Sequence, residues 1–397
     1  MKIILFFTLI IFSFIACNED DGIYNKSGVY TVYSIDELEI LLNKLPANTA
    51  GKPYTILLNI NDLTGISLPV LKNTNKFINF DLSGSTITGI ENRGFQNCYN
   101  ITGVTLPDSI TSIGECAFNG CTSIISVNIP NNVTSIGEMA FAVCYKLESI
   151  NIPHGITIIE NGVFQSCKSL TSINIPNNVT NIGDFALFGC VGLTSITIPN
   201  NVRNIGKGAF AVCTNLTGIT IPNSVASIGE MAFSNCTNIT SINIPNSVTY
   251  IGDTVFNECK NFYAINVDED NAVYSSTNGV LYNKDKTTLL SYPQGKTDSV
   301  FPIPNSVTAI EYAAFARCTN LTSVILPNSI AGIGDQAFAD CAALTNVTFQ
   351  GTIPLDNFSY KDSFPGGLRD KFYKDDAENG TPGTYTREAG SMTWIKQ

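Results

Sequence analysis

The chain has 397 residues, a net charge of −11, one histidine and twelve cysteines, and only 14% of its residues are charged. An acid surplus of this kind argues against nucleic acid and against direct adsorption to an anionic membrane, since both present phosphates that need cations opposite them.

Residues 3–15, IILFFTLIIFSFI, are an apolar run of 13 behind Lys2. Such a run is too short to span a bilayer and suits a secretory signal. It ends in FIAC, which resembles a lipoprotein cleavage box with phenylalanine where leucine is more usual. That resemblance makes residues 1–16 a lipoprotein-type signal peptide and Cys17 the lipidated first residue of the mature chain. A plain signal peptide cleaved nearby, or a short membrane anchor, is the alternative. Residues 17–27 are polar and acidic and read as a flexible tether.

Residues 28–90 form a different unit. In SIDELEILLNKL (34–45), Ser34 stands as an N-cap with Glu37 three residues on, and Leu38, Leu41, Leu42 and Leu45 follow at helical spacing. PYTILLNI and FINFDLSG come next as strands. The unit is the expected atypical end that covers a stack of repeats.

The repeats themselves are explicit. SIGEMAFAVC (135–144) returns as SIGEMAFSNC (227–236). Cysteines stand every 23 residues at Cys98, Cys121, Cys144, Cys167, Cys190, Cys213, Cys236 and Cys259, then at Cys318 and Cys341. The one gap, 59 residues, is read as a single repeat carrying 36 extra residues near 264–303. Eight positions before each cysteine stands isoleucine, as in Ile136. Three before it stands phenylalanine, as in Phe141, with only Leu187 deviating. Fixed periods of 20 to 50 residues mark solenoids, whose repeats bury their apolar faces only by stacking. In LESINIP (147–153), Ile150 and Ile152 point inward from a short strand, and Ser149 and Asn151 point out. Proline then closes the strand, and a second extended piece such as VTSI follows. Glycine after the isoleucine, present in seven of ten units, supplies a tight bend. EMAFAVC is too short for a standing helix and forms one helical or 3-10 turn that presses its phenylalanine inward. Some eleven rungs of parallel strands at about 4.8 Å give a rod about 50 Å long.

A unit with these columns is similar to the BspA-like class of leucine-rich repeats of bacterial surface proteins, over about residues 80–349. The expected fold is therefore an α/β leucine-rich-repeat solenoid, mostly short parallel β-strands with short helical or 3-10 turns. It would run over residues 91–349, with a helix-containing N-terminal cap at 28–90 and a C-terminal β cap at 350–397. The stretch 265–296 resembles a hairpin-forming insert common in that family. The resemblance implies a surface-exposed, lipid-anchored protein of the bacterial envelope that binds other proteins or cells, extracellular matrix proteins among them. A passive envelope spacer is the alternative, favoured by outward strand columns that read small, polar and uncharged.

Stacked cysteines about 5 Å apart fall in the Cα range of a disulfide, but their Cβ vectors run parallel, which is poor geometry for the bond. Buried cysteine behaves as a small hydrophobe, so the ten grid cysteines are read as a ladder of structural thiols, with occasional bridges as the alternative. Zinc wants ligands paired at short spacing. Only Cys116 and Cys121 approach that, and Cys116 sits in a column that elsewhere holds Met139, Gly162, Phe185 or Met231. No catalytic residue, cofactor or metal is expected. His154 stands in a turn column beside Asn131 and Asn177, and no phosphate-binding or zinc-protease motif occurs. The acidic run Asp268, Glu269, Asp270 with Asn271 lacks the glycine of a calcium loop; a solvated turn is the plainer reading. The candidate protein-binding residues are Tyr263, Tyr274, Tyr282 and Tyr292 of the insert, the alternative being that they pack the hairpin onto the rod. Trp394 is read as packing against the last rung. The chain is expected to act as a monomer without nucleic acid.

Overall fold

The structure, a computed structural model, describes residues 29–61, 71–72 and 74–397. The apolar run at 3–15, Cys17 and the tether lie outside the described residues. The architecture is a parallel β-solenoid of about 14 turns with few helices.

Each turn has three faces, and each face carries its own hydrogen-bond ladder to the next turn. The first is the longer strand, where Gly103–Thr105 pairs in parallel with Ser126–Asn128. Side chains alternate there because the strand period is two, so Val127 is buried while Ser126 and Asn128 are exposed. Proline ends that strand, and its carbonyl accepts the N–H three residues on, as from Val133 to Pro130 at 3.2 Å. The second face is a two-residue strand, where Ser112–Ile113 pairs with Ser135–Ile136. The third is the phenylalanine–cysteine segment.

The third face is a run of three-residue turns in place of the single helical or 3-10 turn expected of it. In the turn ending at Cys121, the N–H groups of Ala117, Asn119 and Cys121 donate three residues back, to Gly114, Cys116 and Phe118. The alternate N–H groups of Cys116, Phe118 and Gly120 point along the rod instead, to the carbonyls of Glu138, Ala140 and Ala142 in the next turn, at 2.8, 2.7 and 2.8 Å. That alternation requires two left-handed residues per turn, here Cys116 at φ 54° and Gly120 at φ 76°. Most turns place ordinary side chains there, including Val143 and Val212, both at φ 62°. Left-handed backbone costs an L-residue roughly 1–2 kcal/mol; the ladder of inter-turn bonds holds it.

Glycine serves a different purpose from the bend read in sequence. A Cβ on Gly206 would lie 2.6 Å from the backbone nitrogen of Asp184 in the previous turn, and Gly137, Gly229 and Gly252 are crowded in the same way. The column is glycine because two backbones nearly touch. Two substitutions within one turn should therefore act in opposite directions. Gly206→Ala is expected to destabilise by about 1–3 kcal/mol through overpacking. Val212→Asn, which puts a residue tolerant of the left-handed region at φ 62°, is expected to stabilise by about 1 kcal/mol. Chemical denaturation of the two single variants measures both signs.

Inside, like residues stack on like. The phenylalanine rings of successive turns lie face to face, Phe95 on Phe118 at 5.2 Å and Phe118 on Phe141 at 5.3 Å, both at 4°. The stack resumes at Phe210 on Phe233 after Leu187 interrupts it. At the N-terminal end, β1 (Val29–Val32), β2 (Tyr54–Leu58) and β3 (Ile78–Asp81) continue the long-strand sheet in parallel. Between them α1 (Ile35–Lys44) starts at Ser34, whose side chain accepts the Glu37 N–H at 3.1 Å, and buries Leu38, Leu41 and Leu42. At the other end Gly383–Thr386 pairs antiparallel with the last parallel strand, Asn346–Phe349. Arg387 is buried there and donates to the carbonyls of Leu344, Cys341 and Ala342, the end of the final turn. Trp394 packs in the same core, its indole N–H on the Pro365 carbonyl at 2.7 Å.

The 59-residue gap holds more than one enlarged repeat. Its first strand, Ala264–Val267, pairs in register with Ser241–Ile244. A hairpin follows, Tyr274–Thr277 antiparallel to Val280–Asn283. The next strand, Thr288–Ser291, turns back along the hairpin and also pairs in parallel with Ala309–Ile310. It thus stands where the two-residue strand of a turn belongs. Tyr292 then occupies the phenylalanine column, its N–H on the Ala314 carbonyl at 2.7 Å and its ring stacked on Phe315 at 5.0 Å. Val300–Pro302 closes the turn against Ser323–Ile325. So 23 of the 36 extra residues form a turn of their own, with Gly295 where the cysteine would be, and the remaining 13 build the hairpin. The insert turn and strands β1 and β2 account for the turns beyond the eleven read in sequence.

Asn271 fastens the insert. Fully buried, it donates to the carbonyls of Pro245 and Val248 at 2.8 and 3.0 Å, and its oxygen accepts the N–H groups of Val273 and Tyr274 at 2.9 and 2.8 Å. Its amide is fully engaged within the chain. Asn271→Ala is expected to cost about 2–3 kcal/mol by leaving buried main-chain groups unpaired, with the first loss of structure in residues 265–291 by limited proteolysis.

Candidate functional site

The ten grid thiols are buried and free, as is Cys116. Their positions explain the residue type. The Cys121 thiol donates to the Phe95 carbonyl at 3.0 Å, Cys144 to Phe118 at 3.3 Å, Cys167 to Phe141 at 3.2 Å, and the pattern repeats up to Cys341 on Phe315 at 3.0 Å. Each column position needs a small apolar body with a weak donor, which is what a thiol offers. Burial pushes Cys98, Cys144, Cys190 and Cys259 up to about 12 and Cys121, Cys167, Cys213, Cys236 and Cys318 well above the usual range. The thiolate is the reactive form, so native protein from Asn18 onward at pH 8 should react with a thiol reagent at Cys116 at most, and at all eleven described cysteines once denatured.

The insert tyrosines divide. Tyr263 is 52% exposed, whereas Tyr274, Tyr282 and Tyr292 are 9%, 2% and 3% exposed. That corrects the reading of all four as contact residues: three are core. Tyr274 accepts the Ile251 N–H on its phenolic oxygen at 2.9 Å. Tyr292 donates to Asp298 at 3.1 Å and packs edge-on to Phe301 at 4.9 Å. Burial, then the Asp298 charge, raises its phenol far above the usual value. Burial also lifts Tyr282 to about 12. Tyr292 is buried because it stands in the phenylalanine column of the insert turn.

What the sequence reading missed lies beside them. Elsewhere four residues lie between the isoleucine of the short strand and the phenylalanine, as from Ile310 to Phe315; in the insert turn only two lie between Leu289 and Tyr292. The third face is cut short there, and a cavity of about 150 Å³ opens between the turns ending at Cys259 and Cys318. Gln294 partly bridges it, donating to Asn257 and to the Ala316 carbonyl at 3.1 and 3.0 Å. In a neighbouring depression also lined by Gln294, Arg317 pairs with Glu258 and, at 3.2 Å, with Asp340. Stepping 23 residues back from Cys318 lands on Gly295, and that was the signal available in the sequence.

The long-strand face is flatter and more uniform. Asn266 donates to Asn243 at 3.0 Å along it. Between Ser149–Ile150 and Ser241–Ile244 no paired strand forms on it, only a bridge from Asn151 to Asn174. Among the described residues no helix is long and apolar enough to cross a membrane.

Fold and columns together define a bacterial leucine-rich-repeat solenoid of the surface-protein class. The family described as "BspA type Leucine rich repeat region (6 copies)" matches residues 88–200, 180–298 and 296–363, and the chain belongs to it. Proteins of this type are typically cell-surface proteins whose repeats serve in binding. Among solved structures, a leucine-rich cell surface protein from Faecalibacterium prausnitzii is 32% identical, covering 70% of this chain and 68% of its own, with a TM-score of 0.52. A leucine-rich repeat protein from Bacteroides ovatus is 25% identical, covering 76% and 75%, with a TM-score of 0.55. No curated protein matches the chain in sequence.

Proposed function

We propose that the chain is a non-catalytic adhesin-like protein, lipid-anchored through Cys17 and exposed on the bacterial outer surface, that binds host extracellular proteins or other cells as a monomer. The observation that carries this reading is membership of a family of surface repeat proteins over residues 88–363. The geometry is consistent with it. The ionisable side chains repeat one per turn, as Glu91, Glu115, Glu138 and Glu160 do along an open groove, and the thiols are inert core. A rigid stack of this kind holds a contact surface away from the envelope.

The second reading, a passive spacer, is favoured by one feature: the long-strand face carries Ser, Thr, Asn and Gly in place of the Trp, Tyr and Arg that dominate contact energy. The test is binding of the chain from Asn18 onward to immobilised extracellular matrix proteins, fibronectin and fibrinogen among them. Saturable binding to any of them supports the adhesin. Absence of binding across the panel, with intact cells also failing to retain the protein's partners, leaves the spacer.

A further inference from the structure

We propose that the cavity beside the insert is a docking site for a short extended peptide segment of a partner protein, held by its main chain and free of acidic side chains. This deepens the binding reading above and rests on it.

The ladder of the third face sets the geometry of the site. In the turn before, Met231 and Phe233 donate along the rod to the carbonyls of Asp253 and Val255, both at 3.0 Å. In the turn after, Ala313 and Phe315 donate to Asp335 and Ala337 at 3.0 and 2.7 Å. Thr254 and Phe256 hold the equivalent positions, and Thr254 has the same left-handed backbone, φ 52°. Their N–H groups therefore point the same way, into the cavity. Among the described residues neither finds an acceptor. On the opposite wall the Tyr312 carbonyl is the equivalent of Asp335, and no N–H among the described residues reaches it. The missing two residues of the insert turn have left two donors, spaced two residues apart, facing one acceptor.

That arrangement is what an extended backbone satisfies, since its carbonyls at alternate residues face one side and its N–H groups the other; strand addition of this kind takes affinity from main-chain bonds. The cavity, about 150 Å³, exceeds the room of a single water many times over. Charge decides against an anion as occupant. Asp253 and Glu311 line the opening and are exposed, so a carboxylate or phosphate on the two N–H groups would meet two like charges, while a neutral or basic peptide meets none.

The rod supplies its own blocking variant. The Phe185 side chain lies over the next turn's Gly208, where an added Cβ would fall 2.6 Å from its ring. Phe185 and Thr254 share a column, so Thr254→Phe puts a ring over the cavity. The probe is a set of capped hexapeptides built from Ala, Ser, Thr, Val and Lys, titrated against the chain from Asn18 onward. Partner sets replace Lys with Glu or methylate the main-chain nitrogens.

Saturable binding of the basic set is expected, at least about tenfold weaker in Thr254→Phe, with the methylated peptides and with the glutamate set. Equal binding by Thr254→Phe, or no binding by any peptide, overturns the site. The matrix panel separates the two claims. If the unaltered chain binds that panel and Thr254→Phe binds it equally well, the adhesin stands and this site falls. If the unaltered chain binds nothing there, the adhesin itself falls.

Discussion

Between pH 8.5 and about pH 10 the protein is expected to unfold, in reducing buffer and without added denaturant. The cause is the thiol ladder. An unfolded cysteine ionises from about pH 8.5, but burial holds nine ladder thiols protonated, four of them up to about pH 12 and five well above their usual range. Below pH 8 both states carry the protons, and the thiols contribute nothing to the pH dependence. Above it the folded state binds more protons than the unfolded one, so stability falls as pH rises. Each thiol removes about 1 kcal/mol over the first pH unit beyond its unfolded pKa. Nine together remove on the order of 10 kcal/mol, which is the whole stability of an ordinary domain. Circular dichroism against pH reads the transition, and replacing Cys144 and Cys167 with alanine should make it shallower. A chain that stays folded through pH 11 would show that the ladder is not sealed.

Phe141→Ala is expected to cost about 3–5 kcal/mol, the range for deleting a buried aromatic ring. The Phe141 ring is fully buried between Phe118 at 5.3 Å and Phe164 at 5.9 Å, so its loss removes two stacking partners at once. Phe141→Leu should cost far less, because Leu187 already occupies this column and is itself fully buried. In a solenoid, stability is close to a sum over neighbouring turns. The alanine variant should therefore open first around residues 118–164, and thermal unfolding should broaden or split. A small, uniform loss of stability in both variants would contradict the stacked core.

Much of this was readable from spacing. The isoleucine, phenylalanine and cysteine columns fixed which residues face inward, because stacking forces identical positions into identical surroundings turn after turn. What spacing hid was contact between turns. Gly206 looks like a bend because glycine is permissive, yet its reason is a backbone nitrogen from the previous turn. Left-handed backbone at Val143 and Val212 leaves no residue signature, because the inter-turn ladder sustains it whatever the side chain. The extra turn at 288–303 was masked by its own substitutions, with Tyr292 for phenylalanine and Gly295 for cysteine. That same turn takes Tyr292 into the core and, being two residues short, opens the cavity that replaces the tyrosines as the candidate site.

Residue-resolved amide exchange on the chain from Asn18 onward tests the central claim, that the repeat runs through the insert and its ladder breaks at one place. The account predicts slow exchange at Met231, Phe233, Tyr292, Ala313 and Phe315, which donate along the rod or into the next turn, and fast exchange at Thr254 and Phe256 between them. Slow exchange at Thr254 and Phe256, or free exchange at Tyr292, would contradict it: the insert would then be a loop hung on the rod, with no broken ladder and no site.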